Sequence, residues 1–189
     1  MATQQAGKGP SNALKGLDLS VHLEESCKAQ AETVYDLLAD IRSHLEWGGT
    51  MQPKENFRLL TVETTERPAV VGTEFRSTGA DAMGGFADTS VVTEASRPGV
   101  FEFVTEARLT TKKGPVVEWT NVHHYELASQ GEGCRISYTL QIARISALPG
   151  ALKMFRIPGL RALGLKASAS YARRGLRNLV AMAETRVGV

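Results

Sequence analysis

The sequence predicts an α+β protein: a curved antiparallel seven-stranded sheet around one long C-terminal helix, with two short helices after the first strand. Three observations carry this. From Pro158 to Val187 a helical period runs with no further proline. Between Phe57 and Ala143 that period is absent, and six β-favouring runs are separated by turn chemistry. Ahead of them, Leu17 to Leu23 alternates and Ala31 to Leu45 recurs at three and four.

Taken in order, Leu17, Leu19, Val21 and Leu23 share one face of an extended segment, with Asp18, Ser20 and His22 on the other. This is a half-buried strand. Val34, Leu37, Leu38, Ile41 and Leu45 then define a helical face, with Glu32, Asp36, Asp40 and Arg42 outside. A break is expected near Asp40, giving two short helices, and Trp47-Gly48-Gly49 ends the second. His22 and His44 read as residues of polar faces.

The six β runs are Phe57–Thr64, Val70–Ser77, Phe86–Glu94, Val100–Thr110, Val116–Ala128 and Cys134–Ala143. Arg67-Pro68, Gly79-Ala80-Asp81, Arg97-Pro98-Gly99, Lys112-Lys113-Gly114-Pro115 and Gln130-Gly131-Glu132-Gly133 punctuate them. Short connections between consecutive strands mean an antiparallel meander.

The last helix begins after the break at Ile157-Pro158-Gly159. Its apolar face comprises Leu165, Ala169, Ala172, Leu176, Leu179, Val180 and Ala183, with Lys166, Arg173 and Arg177 along one flank. At about 1.5 Å per residue it is roughly 42 Å long, a length that suits a helix lying across the concave face of the sheet. Ala169 and Ala172 are small for a core-filling face, which lets another layer approach or leaves space.

With 189 residues, 42% apolar and 22% charged, the chain reads as one soluble globular domain, residues 17–189, behind a disordered tail, residues 1–16. Two cysteines, Cys27 and Cys134, make neither a disulfide framework nor a zinc site, so no metal is expected and a reduced, cytoplasmic setting follows. No stretch approaches 18 apolar residues. The net charge of +2 argues for no particular partner, and no nucleic acid is expected. The C-terminal stretch is nevertheless cationic: Lys153, Arg156, Arg161, Lys166, Arg173, Arg174, Arg177 and Arg186 stand against Glu184. This is a solvated helix back or a weak peripheral contact for anionic lipid.

Four short segments in order carry a resemblance. Ala31-Glu32-Thr33-Val34-Tyr35-Asp36-Leu37-Leu38-Ala39-Asp40 followed by Leu45-Glu46-Trp47 is one. The others are Val71-Gly72-Thr73-Glu74-Phe75, Val91-Val92-Thr93-Glu94 with Arg97-Pro98, and Tyr125-Glu126-Leu127 through Gly133-Cys134-Arg135-Ile136-Ser137. Together they resemble the START-like (SRPBCC) superfamily of polyketide cyclase/dehydrase and lipid-transport proteins, in which threonine is usual at the position of Cys134. The resemblance spans about Leu17 to Thr185. It implies a helix-grip fold, a START-like ligand-binding domain and a cavity between sheet and helix, with no cofactor and a monomer or homodimer as the assembly.

Strand alternation nominates the lining. Trp119, Asn121, His123, Tyr125 and Leu127 share a face, as do Cys134, Ile136, Tyr138, Leu140 and Ile142; Phe101, Phe103 and Thr105 share another, and Thr73 goes with Phe75. The expected ligand-binding set is Trp47, Phe75, Phe86, Phe103, Trp119, Asn121, His123, Tyr125, Tyr138, Ala169, Ala172 and Leu176, with Met51 and Met83 near the mouth and Tyr171 offering a further phenol. Each aromatic taken singly reads as plain core before it reads as ligand wall; the case for a cavity rests on the resemblance and on Ala169 and Ala172. His123 and His124 are adjacent and point to opposite faces, so they cannot share a metal. The sequence has no GxxxxGK[ST], HExxH, CxxC or GxSxG. The expected function is binding of a hydrophobic or amphipathic small molecule. The alternative is a cyclase or dehydratase in which His123 or a tyrosine moves the proton, with a pH–rate limb near neutrality from His123.

Overall fold

The computed structural model describes residues 19–53, 58–80, 84–112, 116–145 and 158–188, and in the C-terminal helix the side chains from Ala169 onward and Lys166. The expected tail, residues 1–16, lies outside them, as do Leu17, Phe57, the hairpin tip with Asp81 and Met83, the turn residues Lys113 to Pro115, Lys153, Arg156 and Ile157, and the side chains of Arg161 and Leu165. The elements are β1 (Ser20–Cys27), α1 (Ala31–Ala39), a 3₁₀ turn (Ile41–Ser43), a π turn (Glu46–Thr50), β2 (Arg58–Thr64), β3 (Glu74–Ala80), β4 (Gly84–Ser96), β5 (Val100–Thr111), β6 (Val116–Gln130), β7 (Gly133–Ile145) and α2 (Pro158–Val187). The seven strands form one antiparallel sheet in the order β1-β7-β6-β5-β4-β3-β2. This is the helix-grip α+β arrangement.

The face read for β1 holds: Leu19, Val21 and Leu23 are buried, and the strand runs on to Cys27, opposite Cys134. Both cysteines are free and buried. Helix α1 buries Val34, Leu37 and Leu38 completely. It stops at Asp40, whose ψ of 81° leaves the helical region. There Asp40 accepts a hydrogen bond from Arg67 at 2.7 Å, and Asp36 pairs with Arg97 at 2.9 Å, tying α1 to two sheet loops. The expected second short helix is a 3₁₀ turn and a π turn. The expected strand Val70–Ser77 begins only at Glu74: the Val70 amide donates to the Thr73 hydroxyl, Gly72 sits at φ 90°, and Val70 and Val71 are exposed.

Helix α2 lays Leu176, Leu179 and Ala183 into the core, with Ala169, Ala172, Val180 and Met182 partly buried against it. Arg177 on its flank donates to Glu25 at 3.1 Å, Asn178 donates to the Trp47 carbonyl at 2.9 Å, and Glu184 accepts from the Lys28 amide at 2.9 Å. Among the described residues no helix is long and apolar enough to cross a membrane.

The β6–β7 hairpin closes where Gly133 packs directly against β1. A Cβ there would collide with the Cys27 carbonyl oxygen, which is backbone and cannot yield cheaply. Gly133→Ala is therefore expected to destabilise by about 1–3 kcal/mol, read as a lowered urea midpoint; an unchanged midpoint would show that the β1 edge is free to move.

Candidate functional site: the sheet face under the C-terminal helix

Register and alternation sort the inward side chains into rows across the strands. Phe101, Tyr125, Tyr138 and Leu23 form one row, and Val92, Phe103, His123, Leu140 and Val21 the next. A polar row follows: Ser90, Thr105 and Asn121, with Phe75 and Ile142 at its ends. Beyond it lie Ser77, Asp88, Ala107 and Trp119, and then Gly79, Phe86, Leu109 and Val117. The inner face thus carries two apolar clusters. The larger contains Trp47, Phe75, Phe103, Tyr125, Tyr138 and Leu176; the smaller contains Phe86, Leu109 and Val117 with Leu59 and Trp119 against it. Ser77, Asp88, Ser90, Thr105 and Asn121 make a polar band between them.

Every expected lining residue on the strands faces inward. Phe86 and Trp119 belong to the smaller cluster, apart from the rest, while Ala169, Ala172 and Leu176 pack against the larger one from α2. Tyr171 is exposed on α2, and Met51 is exposed after the π turn.

Two inner residues escape the sequence reading. His44, placed by sequence on a polar face, is only 3% exposed. The chain leaves the α-helix at Asp40, so the helical period no longer says where His44 points. Its Nε2–H donates to the Leu38 carbonyl at 2.8 Å, and its ring lies 4.7 Å from Trp47 and 5.9 Å from Phe103. Asp88 is the other. The parity of Phe86, Ser90 and Val92 would have placed it inward.

His123 stacks on Phe103 at 4.5 Å, nearly parallel, and its Nδ1 lies 2.9 Å from the Tyr138 hydroxyl. Tyr138 stacks in turn on Tyr125 at 4.5 Å, and the two hydroxyls are hydrogen-bonded. Burial pushes both phenols above their ordinary range. Burial, and then the proximity of His44, push His123 down to about 3, and burial pushes His44 down to about 4. Both imidazoles are neutral at pH 7. The near-neutral pH–rate limb expected of His123 is therefore corrected: the titration of this ring lies far below neutrality. His124 points outward and bonds Glu102 at 2.8 Å and Glu126 at 3.3 Å. Burial lowers its affinity for protons, but the two carboxylates outweigh burial and leave its pKa raised.

Asp88 is the inward group that titrates near neutrality. Burial raises its carboxyl to about 7, partly offset by a backbone hydrogen bond from Arg108. Its Oδ1 is buried without a hydrogen-bond partner, and so are Asn121 Oδ1, Trp47 Nε1 and Gln52 Oε1. Trp47 and Gln52 both lie beside Gly175 of α2. Leaving such groups unpaired is costly, about 1–3 kcal/mol each, and native interiors seldom do so. The inner face therefore presents one indole donor and three acceptors beside a wall of rings. His123, Asn121, Trp119, Leu140 and Ile142 are only half-buried there. Among the described residues no group of three His, Cys, Asp or Glu is placed to hold a metal ion.

A groove of about 550 Å³ is lined mainly by residues whose side chains alternate to the outer face, including Thr61, Arg76, Thr78, Glu106 and Arg108, and its lining also takes in Ser77, Asp88, Ala107 and Trp119, whose side chains alternate to the inner one. Arg108 meets Glu118 at 3.9 Å and Arg144 meets Glu106 at 3.6 Å across neighbouring strands. Opposite charges so paired are those of a solvated sheet surface.

No protein-family model and no curated protein matches this sequence. Solved structures do match. An uncharacterised protein from Rhizobium leguminosarum superposes with a TM-score of 0.64 at 13% identity, over 89% of this chain and 96% of that one. A Thermus thermophilus protein does so at 0.61 and 16% identity, over 88% and 98%. The di-domain ARO/CYC StfQ from the steffimycin biosynthetic pathway matches at 0.63 and 16% identity, over 93% of this chain and 54% of its own. These likenesses bear out the helix-grip fold expected from the sequence.

Proposed function

We propose that the protein binds one amphipathic, ring-bearing small molecule between the sheet and α2. The observation that supports this best is the set of unpaired polar atoms on Trp47, Gln52, Asp88 and Asn121, on the same side of the sheet as the stacked rings of Phe103, His123, Tyr125 and Tyr138. Apolar surface supplies the driving force, at about 25 cal/mol per Å² before the costs of association. The polar atoms fix the orientation of the ligand. Lipid- and polyketide-like compounds fit this description.

A cyclase-type reaction is the second reading. The likeness to StfQ supports it, and so does a His123–Tyr138–Tyr125 hydrogen-bonded chain able to polarise a carbonyl. With His123 neutral, that chain orients or donates a hydrogen bond and does not act as a general acid at pH 7. Mass spectrometry of extracted ligand, with His123→Phe beside the wild type, separates the two. Lost ligand without turnover supports carriage; retained ligand with lost turnover supports catalysis. Protein that carries no small molecule and takes up none would end the binding proposal. A contact between the cationic back of α2 and anionic liposomes would appear as salt-sensitive binding.

Asn121→Leu is expected to stabilise the ligand-free fold by about 1–2 kcal/mol, since it removes an unpaired buried acceptor at similar volume, while ligand retention falls at least tenfold, about 1.4 kcal/mol. A lowered melting temperature would show that Asn121 is structural.

A further inference from the structure

Among the described strand residues the inner face carries two carboxylates, Glu25 and Asp88. Glu25 has its cation, Arg177 of α2, at 3.1 Å. Asp88 has none. Facing it are Ser77 on β3, Ala107 and Thr105 on β5, Trp119 and Asn121 on β6, and Phe86 and Ser90 on its own strand; none is charged. Arg76, Glu106, Arg108 and Glu118 on these strands alternate to the outer face, and Lys166 of α2 is exposed. The histidines of the inner face, His44 and His123, belong to the aromatic half and are neutral.

The row Ser77–Asp88–Ala107–Trp119 places a carboxylate and an indole two strands apart, roughly 9.5 Å between backbones. The residue between them is alanine, so no side chain of any length intervenes. A carboxylate across from an aromatic face is the chemistry that receives a protonated nitrogen: ion pairing on one side and cation–π attraction on the other. We infer that Asp88, with Trp119, selects ligands carrying a basic nitrogen, which the carboxylate anchors at the polar band while the apolar remainder lies along the aromatic half. This rests on the reading of the inner face as a binding surface. An ammonium group would satisfy the unpaired Oδ1 and supply the missing countercharge in one contact. A hydroxyl would satisfy the hydrogen bond alone.

The raised carboxyl adds a pH signature. Ionised above about 7, Asp88 holds a cation; protonated below, it does not. Affinity for a cation should therefore fall on the order of 30-fold between pH 8.5 and pH 5.5.

The test uses three probes on one ring system, 9-(aminomethyl)anthracene, 9-(hydroxymethyl)anthracene and anthracene-9-carboxylate, titrated by fluorescence into the full chain and into Asp88→Asn. The expected result is at least tenfold tighter binding of the amine than of the alcohol at pH 8.5, a preference lost at pH 5.5 and lost in the variant. Equal binding of all three probes by both proteins overturns the role of Asp88 and leaves inner-face binding standing. Preference for the alcohol overturns the cation and assigns a neutral donor. Binding of no probe overturns both. Were Asp88→Asn to lose its fold by circular dichroism, Asp88→Ala asks the same question with a side chain already present in that row.

Discussion

Acidification from pH 7 to pH 5 is expected to cost the folded state about 4 kcal/mol through His44 and His123 and to return about 2 through Asp88. Both histidines titrate lower in the fold than their unfolded value, at about 4 and about 3. The unfolded chain thus takes up protons that the native one refuses, and stability is lost as the pH falls below about 6.5. Asp88 works the other way. Its folded pKa, about 7, lies above its ordinary value, so the native state binds a proton first and gains stability as the pH falls from about 7 toward 4.

Urea unfolding at pH 7, 6 and 5 resolves the three contributions. Wild type should lose only about 2 kcal/mol between the ends of this range, Asp88→Asn about 4, and His123→Phe close to none. In the last variant the phenyl ring keeps the stack on Phe103 and removes a titrating group. Identical pH slopes in all three proteins would mean that these groups are hydrated in the native state.

The same residues show what a sequence can and cannot say about this fold. Alternation along β6 fixed the inward side of Trp119, Asn121, His123, Tyr125 and Leu127 correctly, because one strand has one parity and Leu127 declares it. The apolar stripe of α2 was equally legible through Leu176, Leu179 and Ala183. His44 was not: after Asp40 the backbone passes through 3₁₀ and π geometry, and no single period predicts direction there. Val70 and Val71 misled for a related reason, since β propensity reports a side chain that suits a pleated surface, and Gly72 turns the chain before that surface begins. Asp88 had parity to betray it. What alternation cannot supply is register: that Asp88 shares a row with Ala107 and Trp119 depends on pairing across three strands, which no single strand encodes.

Leu179→Ala is expected to lower stability by about 2–5 kcal/mol, a large share of the roughly 5–15 kcal/mol that holds a domain of this kind folded. Leu179 is completely buried, and with Leu176 and Ala183 it is the apolar footing of the C-terminal half of α2. Shortening it leaves a void that a helix pinned on both sides cannot close. Asn178 holds the π turn next to it, and Glu184 holds the chain at Lys28 one turn and a half later. Arg177→Ala is the control. The arginine side chain is 66% exposed, so loss of its pair with Glu25 should cost less than about 1 kcal/mol. If α2 is held by burial, the leucine variant loses several times more in urea midpoint than the arginine variant, at the same slope. Equal losses would mean that polar pins hold α2 against the sheet. The position of α2 would then be set by Glu25, Asn178 and Glu184, and changes in salt would move the urea midpoint as strongly as changes in the apolar footing.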